Sequence, residues 1–341
     1  MDIQILMTTA KEMMVDGKGL LAMDESTPTC NQRFAEYGIP QTLEARRAYR
    51  NLILTAPGLG EFISGAILYD ETIRQTAPDG TPFAGALRNA GIIPGIKVDA
   101  GAKDMAGFPG EKLTEGLDGL RERLTEYAGM GARFAKWRAV IRIGDRIPTQ
   151  GCIDANMHML ARYAAICEEQ NIVPMVEPEI LMDGNHTMER CAEVTSTALR
   201  TLFEQLSLQR VDVRGIIVKP NMVLAGKDCP IQPNVEEVAD ATINCFLANI
   251  PADVPGVAFL SGGQSGELAA ARLNAMEVRH KKEMPWVLTF SFSRAIQNPA
   301  LGIWSGKEEN VPAAQQALLH RAKCAAAARR GEYTDAIEQT A

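Results

Sequence analysis

What most constrains the fold of this chain is a series of eight short, largely apolar runs bounded by turn residues. They are Gly19–Met23, Ile63–Tyr69, Ile92–Val98, Phe134–Val140, Ile172–Val176, Gly215–Val218, Val257–Leu260 and Trp286–Phe290. Nearly continuous apolar runs of this length read as strands covered on both faces, the pattern of a parallel sheet. Helical periodicity fills most of the gaps: Leu43–Thr55, Leu113–Met130, Ile153–Gln170, Met188–Ser207, Val235–Ala248 and Glu267–Val278. Strand and helix alternate along the whole length without reversal. That predicts an α/β chain of one domain over residues 1–341, a closed (β/α)8 TIM barrel rather than an open doubly wound sheet. No G-x-G-x-x-G follows the first run, as a dinucleotide fold would need. Further helices are expected at both ends, over Met1–Met14 and Ala314–Arg330. Residues 331–341 are expected to form a weakly ordered tail.

Composition narrows the function. Lys and Arg total 35 against 42 Asp and Glu. The chain has no basic face or tail to bind nucleic acid and no basic run to hold a membrane surface. The N-terminus lacks the cationic start and long apolar centre of a secretory signal. The seven cysteines are scattered without a C-x-x-C pair, the usage of a reducing compartment, so a cytoplasmic protein is expected. The four histidines, His158, His186, His280 and His320, show no metal-ligand spacing. No essential metal and no cofactor are expected.

The chemistry gathers where the runs end. The first ends in Asp24, then Glu25 and Ser26; the third gives Lys97 and Asp99; the fourth holds Lys136 and Arg138. The fifth leads to Glu177 and Glu179, the sixth to Lys219, the seventh to Ser261-Gly262-Gly263, and the eighth to Ser291 and Arg294. Barrel active sites lie at the C-terminal ends of the strands. Residues i and i+2 share a strand face, so Lys136 and Arg138 point inward together while Trp137 faces the helices. A lysine at a strand end is often a member of a structural ion pair. Here two lysines, an arginine and several acids share one mouth, and burying such a set is costly unless function retains it.

The glycines of Ser261-Gly262-Gly263 allow backbone N–H groups to approach an anion, and a helix follows. With Ser291 and Arg294 this matches the phosphate site that barrels build after strands seven and eight. Ser26 and Lys97 could hold a second anion. A lysine amine such as Lys219, with Lys136 disfavouring a second ammonium beside it, can add to a ketone and form an iminium that accepts electrons from a breaking C–C bond. Glu177, Glu179 and Asp24 are placed to move protons. The residues alone therefore describe a Schiff-base lyase for a phosphorylated keto compound.

The segments carrying these residues resemble class I, Schiff-base fructose-1,6-bisphosphate aldolases. They are Leu21–Thr27, Lys97-Val98-Asp99, Phe134–Arg138, Val173–Leu181, Lys219–Val223, Phe259–Ser265 and Leu288–Ser291, in the family's order over nearly the whole chain. The resemblance implies reversible cleavage of fructose 1,6-bisphosphate to dihydroxyacetone phosphate and glyceraldehyde 3-phosphate, in glycolysis and gluconeogenesis. It implies Lys219 as the Schiff-base lysine and Glu177 as the proton shuttle. Glu179 and Lys136 would tune charge at the imine, and Asp24 would assist C3–C4 cleavage. Arg138 would bind substrate. Ser261, Gly262, Gly263, Ser291, Ser293 and Arg294 would serve one phosphate, and Ser26, Thr29 and Lys97 the other. A homotetramer is implied by the family alone. Ser293 stands where the family usually has glycine, and Gln32 where it often has lysine. The sequence ends at Gln339-Thr340-Ala341, without the family's long tail closing in tyrosine, which bears on turnover and on bisphosphate preference. The alternatives are a Schiff-base lyase preferring fructose 1-phosphate or a sedoheptulose bisphosphate, another such barrel lyase, or a non-catalytic sugar-phosphate-binding scaffold.

Overall fold

Ten strands form in the computed structural model, which describes residues 2–339: β1 (Gly19–Ala22), β2 (Ile63–Leu68), β3 (Ile93–Lys97), β4 (Ala102–Asp104), β5 (Lys112–Thr114), β6 (Phe134–Ile141), β7 (Val173–Ile180), β8 (Ile217–Val218), β9 (Gly256–Phe259) and β10 (Val287–Phe292). All but β4 and β5 join one closed barrel in the order β1-β10-β9-β8-β7-β6-β3-β2. Every pairing in it is parallel. Each of the eight apolar runs contributes one barrel strand. β6 and β7 extend past their expected ends, because the charged residues there remain in the ladder, with Arg138 opposite Glu177 and Val140 opposite Glu179.

Among the described residues thirteen α-helices surround and extend the sheet: α1 (Ile3–Met13), α2 (Thr27–Ala35), α3 (Leu43–Leu54), α4 (Asp70–Ile73), α5 (Phe83–Asn89), α6 (Leu120–Gly129), α7 (Gln150–Glu169), α8 (Met188–Leu208), α9 (Val235–Asn249), α10 (Gly266–His280), α11 (Arg294–Trp304), α12 (Val311–Arg330) and α13 (Asp335–Gln339). Local chemistry sets their starts. Thr149, Thr187 and Ser265 accept N-terminal backbone N–H bonds, and Asn234 with Glu237 forms a reciprocal capping box before α9. The helix expected from Leu113 starts only at Leu120. Leu113 and Thr114 instead pair in the β4–β5 hairpin, with Lys103 opposite Leu113.

Two apolar layers follow from strand alternation. The outer one lies between sheet and helices, where Trp137 is fully buried and packs on Tyr163 of α7, ring centroids 5.5 Å apart. The inner one fills the barrel with Leu20, Ile67, Phe134, Val173, Met175 and Ile217, joined by Leu6, Ala10 and Met13 of α1 and by Met14. Helix α1 thereby packs into the end of the barrel opposite the charged mouth. Two glycines make the fit possible. A carbon on Gly95 would lie 2.2 Å from the Phe134 ring, and one on Gly256 would lie 2.2 Å from Met14 Sδ.

The segment beyond Gly331 forms the short helix α13, whereas the sequence alone suggests a loose tail. Its Glu338 pairs with Arg321 of α12 and accepts a 2.6 Å bond from the Tyr333 hydroxyl. The final two residues lie outside the described range.

Candidate active site

Strand ends build a cavity of about 440 Å³ at the C-terminal mouth of the barrel. At its base four charges alternate in sign. Asp24, one residue past Met23, reaches Lys136 Nζ at 2.7 Å. Lys136 also pairs with Glu177 Oε2 at 3.1 Å, and the other oxygen of Glu177 accepts from Lys219 Nζ at 2.9 Å. All four residues are buried. The order Asp24, Lys136, Glu177, Lys219 follows from inward-facing positions just past β1, on β6 and β7, and just past β8.

Alternation keeps this buried row charged. Burial works to raise the Asp24 pKa, but Lys136 and Lys219 outweigh it and hold the carboxyl at about 2. Glu177 is likewise held below the usual carboxylate range against burial, by Lys136, Lys219 and Arg138. Burial would discharge Lys136, yet Asp24 and Glu177 keep it firmly an ammonium. The sequence argument had Lys136 acting directly on Lys219. The structure places Glu177 in contact with both, so the carboxylate mediates the coupling.

Around this row the remaining sequence-named residues take distinct positions. Glu179 is paired with Arg138, whose side chain reaches the cavity. Lys97 lines the wall, but its ammonium is engaged by Asp99, 2.6 Å from Oδ1 and 2.9 Å from the backbone oxygen. Ser26 and Thr29 share a hydroxyl bond of 3.0 Å at the start of α2. Ser26 is the N-cap yet gives its side chain to no backbone donor of the helix, so this positive helix end faces the cavity with its hydroxyls available to a ligand.

Past the ends of β9 and β10, Ser261, Gly262, Ser291, Ser293 and Arg294 line the cavity. Gly262 and Gly263 adopt positive φ of 60° and 86°, which the turn requires and glycine provides. Gly263 lies just outside the cavity wall. The Ser291 hydroxyl is buried without a protein partner, a donor and acceptor open to a ligand. Ser293 is committed elsewhere: its hydroxyl donates to Glu25 Oε1 at 3.0 Å and accepts from Gln297 Nε2 at 3.2 Å.

Sequence reasoning missed the support beneath this edge. Glu25 is gripped by Arg33 and by Arg50, the latter at 2.8 Å. Gln297 Oε1 accepts from Tyr49 at 2.9 Å, and Gln297 Nε2 donates to the Ala22 backbone oxygen at 2.6 Å. The network ties β1, α2, α3 and α11 together directly behind Asp24, and Glu25 and Arg33 also line the cavity. Glu25 carried one signal, its place beside Asp24. Arg33, Arg50 and Gln297 sit on helices and carried none.

Known proteins resemble this chain over nearly its whole length. Residues 5–341 match the family model described as fructose-bisphosphate aldolase class-I. A probable fructose-bisphosphate aldolase class 1 of Xanthomonas campestris pv. campestris is 55% identical over 324 residues, covering 95% of this chain and 96% of the relative. The fructose-bisphosphate aldolase of Dictyostelium discoideum is 48% identical, covering 96% and 92%. The solved structure of a fructose-bisphosphate aldolase from Plasmodium falciparum superposes with a TM-score of 0.95 at 45% identity, covering 97% of this chain and 96% of that one. Fold, cavity and sequence converge, and the chain belongs to the class-I fructose-bisphosphate aldolase family.

Proposed function

We propose that this cavity cleaves fructose 1,6-bisphosphate reversibly through an imine on Lys219. The observation that carries the reading is the 2.9 Å bond from Lys219 Nζ to Glu177 Oε1. Passing the Lys219 proton along it makes an amine nucleophile and a carboxylic acid in one move. The amine attacks C2 of the ketose, and Glu177 returns the proton to the C2 oxygen, which leaves as water to give the iminium. A carboxylate then takes the C4 hydroxyl proton. The C3–C4 bonding pair flows into the iminium as an enamine, and glyceraldehyde 3-phosphate departs. Protonation at C3 and hydrolysis release dihydroxyacetone phosphate and free Lys219. Asp24, fixed as a carboxylate, orients the substrate hydroxyls, and Lys136 balances the charge of Asp24 and Glu177.

The two phosphates are assigned to two groups of residues in the cavity wall. The Ser261–Gly262 turn with Gly263, Ser291, Ser293 and Arg294 serves one, Ser293 through its backbone since its hydroxyl is committed. The α2 N-terminus with Ser26, Thr29 and Lys97 serves the other, and Arg138 and Glu179 shape the mouth. Two relatives from Arabidopsis thaliana are named cytosolic, and no helix among the described residues is long and apolar enough to cross a membrane. A cytoplasmic place in glycolysis and gluconeogenesis and a homotetramer are proposed on family grounds. Sedimentation velocity at about four monomer masses would bear out the tetramer.

The deciding experiment is borohydride trapping with dihydroxyacetone phosphate in the presence of EDTA, read by peptide mass spectrometry. The expected result is one reduced adduct on Lys219, absent in Lys219→Met. A folded protein with no adduct, or an adduct elsewhere, would overturn the mechanism.

A further inference from the structure

Lys227 lies outside every segment that suggested function, yet three structural features place it at the phosphate turn. A side-chain carbon on Gly263 would meet Arg294 Nη2 at 3.4 Å and Lys227 Nζ at 3.5 Å. Both cationic heads therefore stand over the same glycine, at the end of the Ser261–Gly263 turn. Secondly, the backbone bearing Lys227 is firmly held. The loop after β8 pairs with the loop after β7 through Gly226 N to His186 O at 2.8 Å, Lys227 N to Met182 O at 2.8 Å and Asp228 N to Gly184 O at 2.9 Å. This close approach requires Gly226, since a carbon there would lie 2.2 Å from Gly184 O. Thirdly, among the described residues the acid paired with Lys227 is Asp183, at 3.0 Å, and the two side chains are 46% and 58% exposed. An ion pair so exposed holds weakly.

We propose that Lys227 leaves Asp183 to bind the sugar phosphate seated on the Ser261–Gly263 turn, acting beside Arg294 as a second cation at that subsite. A phosphate dianion on the turn offers Lys227 a denser charge and more acceptor oxygens than one carboxylate. Asp183 holds the ammonium when no phosphate is bound. Lys227 comes from the loop directly after the strand carrying Lys219. The same short segment would then supply both the reacting amine and a grip on the phosphate. This rests on the aldolase reading of the cavity.

The test compares Lys227→Met, Lys227→Arg and Asp183→Asn with the wild type on fructose 1,6-bisphosphate, with kcat and KM measured separately over a range of salt. Lys227→Met should raise KM by about ten-fold while kcat changes by less than about two-fold, the signature of lost uniform binding. Its kcat/KM should also depend less steeply on salt. Lys227→Arg should restore most of the affinity. Asp183→Asn, which removes the competitor, should lower KM by about two-fold or more. A bystander ion pair would leave KM unchanged in both single variants, or would lower thermal stability with no change in KM, and either result overturns the proposal. If the wild type shows no cleavage, the aldolase reading itself has failed. Calorimetric titration of wild type and Lys227→Met with inorganic phosphate then still decides whether Lys227 binds the anion.

Discussion

In the proposed mechanism the chemistry turns on Glu177, because it touches both Lys136 and Lys219. Replacing it with glutamine keeps the shape but leaves Lys136 and Lys219 without a shared counter-charge. The expected result is a fall in kcat of about 10²–10⁴, with the fold retained and slower borohydride trapping on Lys219. Loss of folding, or trapping at the wild-type rate, would contradict the role. Most residues at this scale were legible from sequence because the strand period of two assigns each charged side chain to the inside or the outside. Lys136 and Arg138 read as inward and Trp137 as outward from spacing alone, and all three are so placed. The hold of Asp99 on Lys97, and of Glu25 on the Ser293 hydroxyl, was not legible. Those bonds join residues brought together by the closing of the barrel, and their partners carry no pattern that spacing reveals.

Among elements, the barrel strands were readable because burial on both faces leaves an unbroken apolar signature. The β4–β5 hairpin was hidden, since three-residue strands show no period and Leu113 and Thr114 continue smoothly into a helical pattern. Helix α2 shows how a short element can matter through its end alone, with Ser26 and Thr29 at its N-terminus facing the cavity. The end of α7 gives a different prediction. Glu168 is buried and accepts the Asp212 N–H at 3.0 Å, and burial pushes its carboxyl up to about 7. A carboxyl raised on folding is protonated in the native state while the unfolded chain has already released its proton, so stability falls as pH rises from about 4.5 through 7. Glu277 on α10, also raised to about 7 by burial, acts in the same direction. Glu168→Gln should flatten the loss of melting temperature between pH 5 and pH 8 while leaving catalysis intact. An unchanged pH slope would show that Glu168 is ionised in the fold.

Considered as a whole, the molecule separates stability from chemistry along the barrel axis. Helix α1 and the inner apolar layer occupy one end, and the charged row occupies the other. Arg329 of α12 secures the closed end by donating to the Met14 backbone oxygen at 2.7 Å. Leu6→Ala in the plug should cost about 2–5 kcal/mol in chemical denaturation, with kcat and KM within about two-fold of wild type. A large kinetic defect would show that the two ends are coupled. The plug also governs traffic. With the far end filled by side chains of the described residues, the cavity opens at the charged mouth. The sugar, the water that hydrolyses the enamine's iminium and both three-carbon halves all pass through it. In the proposed mechanism the half held on Lys219 waits for protonation and hydrolysis, so the free aldehyde half is the first to pass the mouth.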